Sequence, residues 1–105
     1  MNSNEVVFRV STKTDAKHLA GAISAKLLDV SRHKINDPNY TENIIITAMG
    51  DHCYATAVKA IAIVNSTYLL NKNPLQLNIT FFNWIDEVDK SPKRSIHFTL
   101  NLNGI

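Results

Sequence analysis

The sequence has little cysteine or glycine and no long apolar run, and each absence excludes a class of protein. Its single cysteine, Cys53, forms no internal disulfide, which excludes a disulfide-stapled secreted fold and favours a reducing compartment. Only three glycines occur, at positions 21, 50 and 104, so the glycine-rich phosphate and dinucleotide motifs are missing. No segment approaches the roughly 20 apolar residues that span a bilayer. We therefore expect no nucleotide cofactor and no membrane partner.

The composition that remains is typical of a small globular protein. The chain has 105 residues, of which 45% are hydrophobic and 19% charged, so we expect residues 1–105 to form a single domain. Eleven basic against nine acidic residues leave a net charge of +2, which permits an anionic partner without requiring one. The first residues contain no basic segment followed by an apolar core. We therefore expect an intracellular protein of the cytoplasm, nucleus or nucleoid.

The first half of the chain predicts a strand, a helix and a second strand. Glu5–Ser11 is rich in β-branched residues and has the period of a strand, with Val6, Phe8 and Val10 on one face and Val7 and Arg9 on the other. Thr14–Ser31 has apolar residues three and four apart, which predicts an amphipathic helix that Thr14 and Asp15 are suited to cap. Asn43–Ala48 is apolar on both faces and rich in β-branched residues, which predicts a central strand of a parallel pair.

The second predicted helix, His52–Leu69, is apolar around nearly its whole circumference, and Lys59 is its only charge. Gly50 marks the turn before it, and Asp51 stands where a cap is expected. A helix that is apolar all round is usually buried on more than one side. In a domain with one helical layer, the second burial is most simply another subunit.

The last third of the chain predicts an antiparallel hairpin. Leu75–Ile85 and Arg94–Leu102 both alternate apolar and polar residues, and the polar segment Asp86–Lys93 joins them. The element order is therefore βαβαββ. It predicts an α/β (α+β) two-layer sandwich, with a mixed four-stranded sheet and two helices on one face.

The residues that enzymes and metal sites use are scattered in this chain. Adjacent helical residues point about 100° apart, so His52 and Cys53 do not serve one site, and Cys53 is expected to be a small buried residue. The histidines stand singly, without the close spacings of zinc ligands. The acidic residues Asp86, Glu87 and Asp89 cluster in a loop, where solvent does not favour acid–base catalysis. We expect no enzyme, no metal and no cofactor.

Five basic residues are the candidate binding residues. Lys13 and Lys17 flank the start of the first helix, where free N–H groups and the helix dipole attract anions. Lys90, Lys93 and Arg94 lie along the hairpin, which could follow a phosphate backbone or enter a groove. The hairpin also carries three acids. These residues alone leave nucleic-acid binding and an ordinary solvated surface equally open.

Three segments, in their order and spacing, resemble the Alba superfamily of nucleic-acid-binding proteins. They are Arg9–Lys13, Leu19–Ile23 and Ala57–Ile63, and the last is especially similar to the branch that contains stage V sporulation protein S. The similarity extends with little gapping from Val6 to Leu70, and more loosely through the hairpin.

The resemblance implies a function and an assembly. It implies a homodimer, or a heterodimer with a related chain, formed through the second helix and neighbouring strands. It implies contact with the backbone of DNA or RNA, largely without sequence preference, in a chromatin-associated or RNA-regulatory role. It matches Lys13 to a lysine pair after the first strand, and Lys90, Lys93 and Arg94 to a long hairpin that reaches toward the minor groove.

The chain departs from the family where the family is most basic. Thr12 occupies the first position of the lysine pair, and a segment of small or acidic character, Gly50–His52, stands where archaeal members have arginines. Fewer cations weaken binding to a phosphate backbone. The departures favour an alternative function, in which the Alba fold is a protein–protein scaffold or complex subunit with weak or no nucleic-acid binding.

The polar segment Arg32–Glu42 is an apparent insertion and predicts a long connection between the first helix and the second strand. Its first residues, Arg32, His33 and Lys34, would either replace the missing positive charge or contact another subunit.

Overall fold

The chain forms a four-stranded mixed sheet with two helices packed on one of its faces. The computed structural model describes residues 4–40, 42–67 and 76–101. The elements are β1 (Asn4–Val10), α1 (Ala16–Asn36), β2 (Glu42–Ala48), α2 (Asp51–Thr67), β3 (Gln76–Ile85) and β4 (Pro92–Asn101). The strands lie in the order β1-β2-β4-β3, which confirms the predicted βαβαββ two-layer fold.

The central position of β2 follows from its β-branched sequence. It pairs in parallel with β1, from Asn4 beside Glu42 to Val10 beside Ala48, and antiparallel with β4 on its other side. Alternate residues of β2 are buried, and those between them are half-buried. The predicted central strand of a parallel pair is confirmed. Residues of α1, α2, β1, β2 and β4 share one core, whose largest fully buried side chains are Ile23, Leu27, Val30, Ile44, Ile46, Val64 and Leu100.

Helix α1 buries the predicted apolar stripe and begins at the predicted cap. Its buried residues are Leu19, Ala20, Ile23, Leu27 and Val30. The Oδ2 atom of Asp15 accepts a hydrogen bond from the backbone N–H of His18 at 3.0 Å, which satisfies one free donor of the first turn.

The predicted long connection after Ser31 is wrong. Residues 32–36 continue α1, which ends at Asn36, and the N–H of Asp37 donates to the carbonyl of His33 at 2.9 Å. The helix ends where Pro38 disfavours helical geometry for the residue before it. The prediction failed because the last turns are polar and lie beyond the apolar stripe.

A polar network joins the middle of α1 to the start of β2. Glu42 is 8% exposed, and its carboxylate accepts hydrogen bonds from Lys26 at 2.7 Å and from the Tyr40 hydroxyl at 2.6 Å. Lys26 also lies 3.2 Å from Asp29, and the ring of His33 stacks on Tyr40 with centroids 4.7 Å apart. Residues 32–36 of the segment predicted as an insertion are therefore helical, and His33 among them packs against Tyr40.

Helix α2 begins one residue earlier than predicted, at Asp51. The carbonyl of Gly50 accepts the N–H of Tyr54 at 2.9 Å, so Gly50 precedes the helix as its cap and Asp51 is the first helical residue. Gly50 has a φ of 96°, a left-handed conformation that favours glycine. Cys53, Ala57, Ala60, Ile61 and Val64 are buried, whereas Ala55, Val58, Lys59 and Ala62 are exposed. The predicted helix end at Leu69 lies outside the described residues.

Strands β3 and β4 pair antiparallel from Gln76 beside Asn101 to Ile85 beside Pro92. The predicted hairpin is confirmed, with Leu75 and Leu102 lying outside the described residues. Ile79 pairs with the buried Phe98, so the two side chains point to the helix side of the sheet. Yet β3 is an edge strand, and this apolar face stays exposed at Leu77, Ile79 (59%) and Phe81 (61%).

Candidate functional site

Three segments meet at one edge of the sheet, which we call the loop end. Because β1 and β2 are parallel, the segments after Val10 and after Ala48 leave the sheet at the same edge. Strand β4 is antiparallel to β2, and its residue Ile96 pairs with Ala48 at that edge. Among the described residues, Pro92–Ser95 pair only with β3. A two-stranded arm, Phe82–Ser95, therefore extends from the loop end, and we call it the hairpin arm.

Lys13 lies in a turn that its neighbours hold by hydrogen bonds. The N–H of Ser11 donates to Oγ1 of Thr14 at 2.8 Å, and the N–H of Thr14 donates to the carbonyl of Ser11 at 3.1 Å. The N–H of Lys13 donates to the Ser11 hydroxyl at 3.2 Å. Lys17 follows in the first turn of α1. Both lysines are exposed and form no ion pair within the described ranges, so both charges are available to an anion.

The hairpin arm carries the other three candidate cations, and two of them already have partners. Lys93 Nζ lies 3.3 Å from the Asp89 carboxylate. Arg94 Nε donates to the side-chain oxygen of Asn83 at 2.8 Å, and the Arg94 guanidinium lies 4.5 Å from the centre of the Phe81 ring. Lys90 is exposed and forms no ion pair in the part of the chain that is described. The arm is a weaker phosphate ligand than its count of basic residues implies.

The acidic residues at the tip of the arm cap the turn. Asp86 accepts hydrogen bonds from the N–H groups of Val88 and Asp89, and these bonds lower the pKa of Asp86. The hydroxyl and N–H of Ser91 both donate to Asp89, and these bonds, together with Lys93, lower the pKa of Asp89 to about 2. Both carboxylates are ionised at neutral pH, so they oppose the positive charge of Lys90 and Lys93 at the tip.

All five predicted residues lie at the loop end or on the arm that extends from it. Lys13 and Lys17 come from the β1–α1 side, and the other three from the hairpin arm. Their contact with a nucleic acid stays a prediction. Arg32, His33 and Lys34 lie in the last turns of α1, at the opposite end of the sheet from Lys13. These three residues therefore add no charge to the loop end, and whether they bind an anion elsewhere or contact another subunit stays a prediction.

Arg9 is a further cation at the loop end, and it was not predicted as a binding residue. It is exposed on the sheet face opposite the helices, one residue before the end of β1, and forms no ion pair among the described residues. Across the sheet it pairs with Thr47, which pairs with His97. The alternation of β1 was the available signal, since it placed Arg9 away from Phe8 and Val10. The unpaired cations of the loop end are then Arg9, Lys13 and Lys17, with Lys90 on the arm.

Among the described residues, no group of three or more histidine, cysteine, aspartate or glutamate side chains is placed to hold a metal ion. Cys53 is buried in the core. Within the same ranges, neither helix has the length and apolar character needed to cross a membrane.

Comparison with solved structures places this geometry in a known fold. The chain is similar to Alba from Thermoplasma volcanium, with a TM-score of 0.58 and 18% sequence identity over 92% of this chain and 100% of that one. The chain has an Alba-like fold. At this identity the likeness concerns the fold alone, so the roles of individual side chains in the Alba-like domain must be argued from this chain. No protein-family model matches the sequence, and no curated protein matches it.

Proposed function

We propose that this chain is a nucleic-acid-binding protein that contacts the phosphate backbone of DNA or RNA through its loop end, largely without sequence preference. The observation that carries the proposal is the joint exposure of Lys13, Lys17 and Lys90, each without an ion pair among the described residues, on one end of an Alba-like fold. The resemblance of Arg9–Lys13 and the two helix segments to the Alba superfamily supports it.

The chemistry of the loop end suits phosphates more than bases. Lys13 and Lys17 flank the N-terminus of α1, where free N–H groups and the positive end of the helix dipole favour an anion. Lysine binds phosphate as a point charge, which fixes position along the backbone without reading sequence. Lys90, Lys93 and Arg94 would act from the hairpin arm, and Lys93 would first have to leave Asp89.

The proposed assembly is a dimer of this chain or of this chain with a related one. Its support is the exposed apolar face of β3, where Leu77, Ile79 and Phe81 lie on the helix side of the sheet without a cover from the described helices. The second helix, through which the resemblance implies the dimer, adds a further large exposed apolar side chain, that of Val58. A homodimer doubles the net charge of +2 to about +4, which is still a weak attraction for a polyanion.

Within the Alba superfamily, we place the chain in the branch of stage V sporulation protein S. The support is the resemblance of the segment Ala57–Ile63, which forms the middle of α2, to that branch. We propose an intracellular role in chromatin organisation or RNA regulation.

One observation favours a second function, that of a protein–protein scaffold. Two of the three cations on the hairpin arm have partners, and the tip carries three acids beside Val88, which is 94% exposed. An acidic tip with an exposed apolar residue suits a basic protein partner better than a phosphate backbone. Under this alternative the arm binds another protein and nucleic-acid affinity is weak or absent.

A salt titration of binding tests the proposal. The anisotropy of a labelled short duplex is followed as the protein is added at several salt concentrations, and a single strand and a structured RNA are compared. Three to five neutralised phosphates predict that log K falls against log salt with a slope of about −2.7 to −4.5 on duplex DNA. A flat response, or no binding at about 50 mM salt, would contradict the proposal.

A further inference from the structure

The sheet face opposite the helices is open and holds a cavity of about 720 Å³. Side chains of all four strands line it, among them Val7, Arg9, Thr47, Phe82, Trp84 and His97. Its volume lies within the range of about 300–1,000 Å³ that is usual for small-ligand sites. The core lies on the other face of the sheet, so the aromatic residues here are not needed to fill it.

The aromatic side chains of this face are arranged as a stack. Phe82 and His97 lie on neighbouring strands with ring centroids 5.0 Å apart and planes 14° from parallel. Trp84 follows on the same face of β3, with its ring 5.8 Å from Phe82. Phe82 is 51% exposed. Asn78 and Thr80, which precede these two residues on the same face of β3, are polar. The replacement of polar by aromatic side chains at Phe82 and Trp84, where no core has to be filled, favours a binding role.

The charges around the stack are complementary to an anion. Arg9 lines the cavity, is exposed and forms no ion pair in the described ranges. Lys93 pairs across the hairpin with Trp84, so both point to the same face. Among the described residues, Glu5 is the one acid that lines the cavity, and it lies at the far end of β1 from the loop end. Arg9 thus supplies an unpaired cation beside the aromatic residues, and Lys93 joins it only on leaving Asp89.

We propose that this open face binds the unpaired bases of a single-stranded nucleic acid. Phe82, Trp84 and His97 provide the surface on which bases stack, and Arg9 contacts a phosphate. Every base has a π-face, so such stacking tolerates any sequence, and a four-stranded sheet backed by helices is a known architecture for it. The inference rests on the proposed function and specifies its ligand as unpaired strands.

A second copy of the chain is a poorer occupant of this face. The larger exposed apolar set of β3, Leu77, Ile79 and Phe81, points to the other side of the sheet. A second copy that covers Leu77, Ile79 and Phe81 would leave the cavity on the other face, which Arg9 and Phe82 line, open to a ligand.

The fluorescence of Trp84 tests the inference, because it is the only tryptophan in the chain. We expect oligothymidylate to quench it through stacking, and a duplex of equal length to bind without that quenching. Phe82→Leu keeps apolar bulk but loses the ring, and should weaken oligothymidylate binding by about 5- to 150-fold while duplex affinity is unchanged. Phe82→Tyr should restore binding. Ile85→Ala, at an exposed apolar residue on the opposite face of the same strand, is the matched control.

The outcomes separate this inference from the proposed function. If the wild type binds neither single strand nor duplex, the proposed function fails. If it binds duplex with the expected salt dependence but Phe82→Leu leaves oligothymidylate affinity unchanged, this inference alone fails. Equal losses for single strand and duplex would also overturn it, as would a change in oligomeric state caused by Phe82→Leu. Thermal unfolding of each variant verifies that the fold is retained.

Discussion

Lys93 Nζ lies 3.3 Å from Oδ2 of Asp89 across the turn of the hairpin arm. The hydroxyl and then the N–H of Ser91 lower the pKa of Asp89 to about 2, so the carboxylate is ionised throughout the pH range of binding experiments. The pair is exposed, so it contributes little to stability. Its consequence is functional, because it offsets one of the three cations on the arm that are expected to meet a phosphate backbone.

Releasing Lys93 from this pair should strengthen nucleic-acid binding. Asp89→Asn removes the charge but keeps an acceptor for Ser91, so the turn should persist. We expect a higher affinity for duplex DNA and a salt slope steeper by about 1, since one more phosphate is neutralised. The measurement is the anisotropy titration at several salt concentrations.

Glu87→Gln is the matched control for that variant, because it removes the same charge from the same turn and Glu87 has no ion pair in the described structure. We expect Glu87→Gln to change affinity slightly and to leave the slope at its wild-type value. Identical slopes for wild type, Asp89→Asn and Glu87→Gln would show that the arm does not contact phosphates, and would favour the scaffold function.

The exposed helix-side face of β3 predicts the oligomeric state. Ile79→Glu places a carboxylate in the proposed interface, where burying it without a partner costs several kcal/mol. We expect the wild type to sediment as a dimer at micromolar concentration and Ile79→Glu as a monomer. Thr80→Glu, the next residue on the opposite face of the same strand, should remain dimeric. A wild type that sediments as a monomer would remove the support for this interface.

The Lys26–Glu42 pair should stabilise the fold in a pH-dependent manner. Burial alone raises the pKa of Glu42, but the hydrogen bonds from Lys26 and Tyr40 outweigh it and lower the pKa below its ordinary value. The hydrogen bond to Glu42 is also the main reason that the pKa of Lys26 is raised. Lys26→Met leaves a buried carboxylate without its cation, and we expect it to lower the free energy of unfolding by about 1–3 kcal/mol at neutral pH.

The direction of the pH effect follows from these shifts. Glu42 is protonated in the unfolded chain before it is protonated in the folded one, so its contribution is complete above its ordinary pKa of 4.5 and is lost below it. The contribution of Lys26 is complete below its ordinary pKa of 10.5 and is lost as the pH rises through the higher folded value. Denaturant unfolding at several pH values should therefore show the cost of Lys26→Met shrinking below pH 4.5. A cost that stays constant with pH would mean that the pair contributes packing only.

Periodicity predicted the elements and their order because every element except β3 buries one apolar face against a common core. The stripe from Leu19 to Val30 and the alternation of β4 around Phe98 are of this kind. The last turns of α1 were missed because they carry no apolar stripe, and the contact of His33 with Tyr40, which lies beyond the helix, is not encoded in any local pattern.

The sequence was enough to predict which cations belong to the candidate site, but not which of them already have a partner. The predicted elements put Lys13 at the start of the first helix and the other cations on the hairpin, and the strand pairing brings these two places to one end of the sheet. Which cations are free depends on side-chain geometry: Lys93 meets Asp89, Arg94 meets Asn83, and Lys13 meets no acid among the described residues. The open aromatic face was also missed, although Phe82 and Trp84 on the polar side of β3 were a visible signal.

Charge removal at the two ends of the molecule tests the central claim most directly. The double variant Lys13→Ala/Lys17→Ala removes two cations from the loop end, and Arg32→Ala/Lys34→Ala removes two from the last turns of α1 at the opposite end. Salt titrations with duplex DNA should show a slope shallower by about 2 and weaker binding for the first variant only. Equal slopes for the two variants would contradict the assignment of the loop end as the surface that binds nucleic acid.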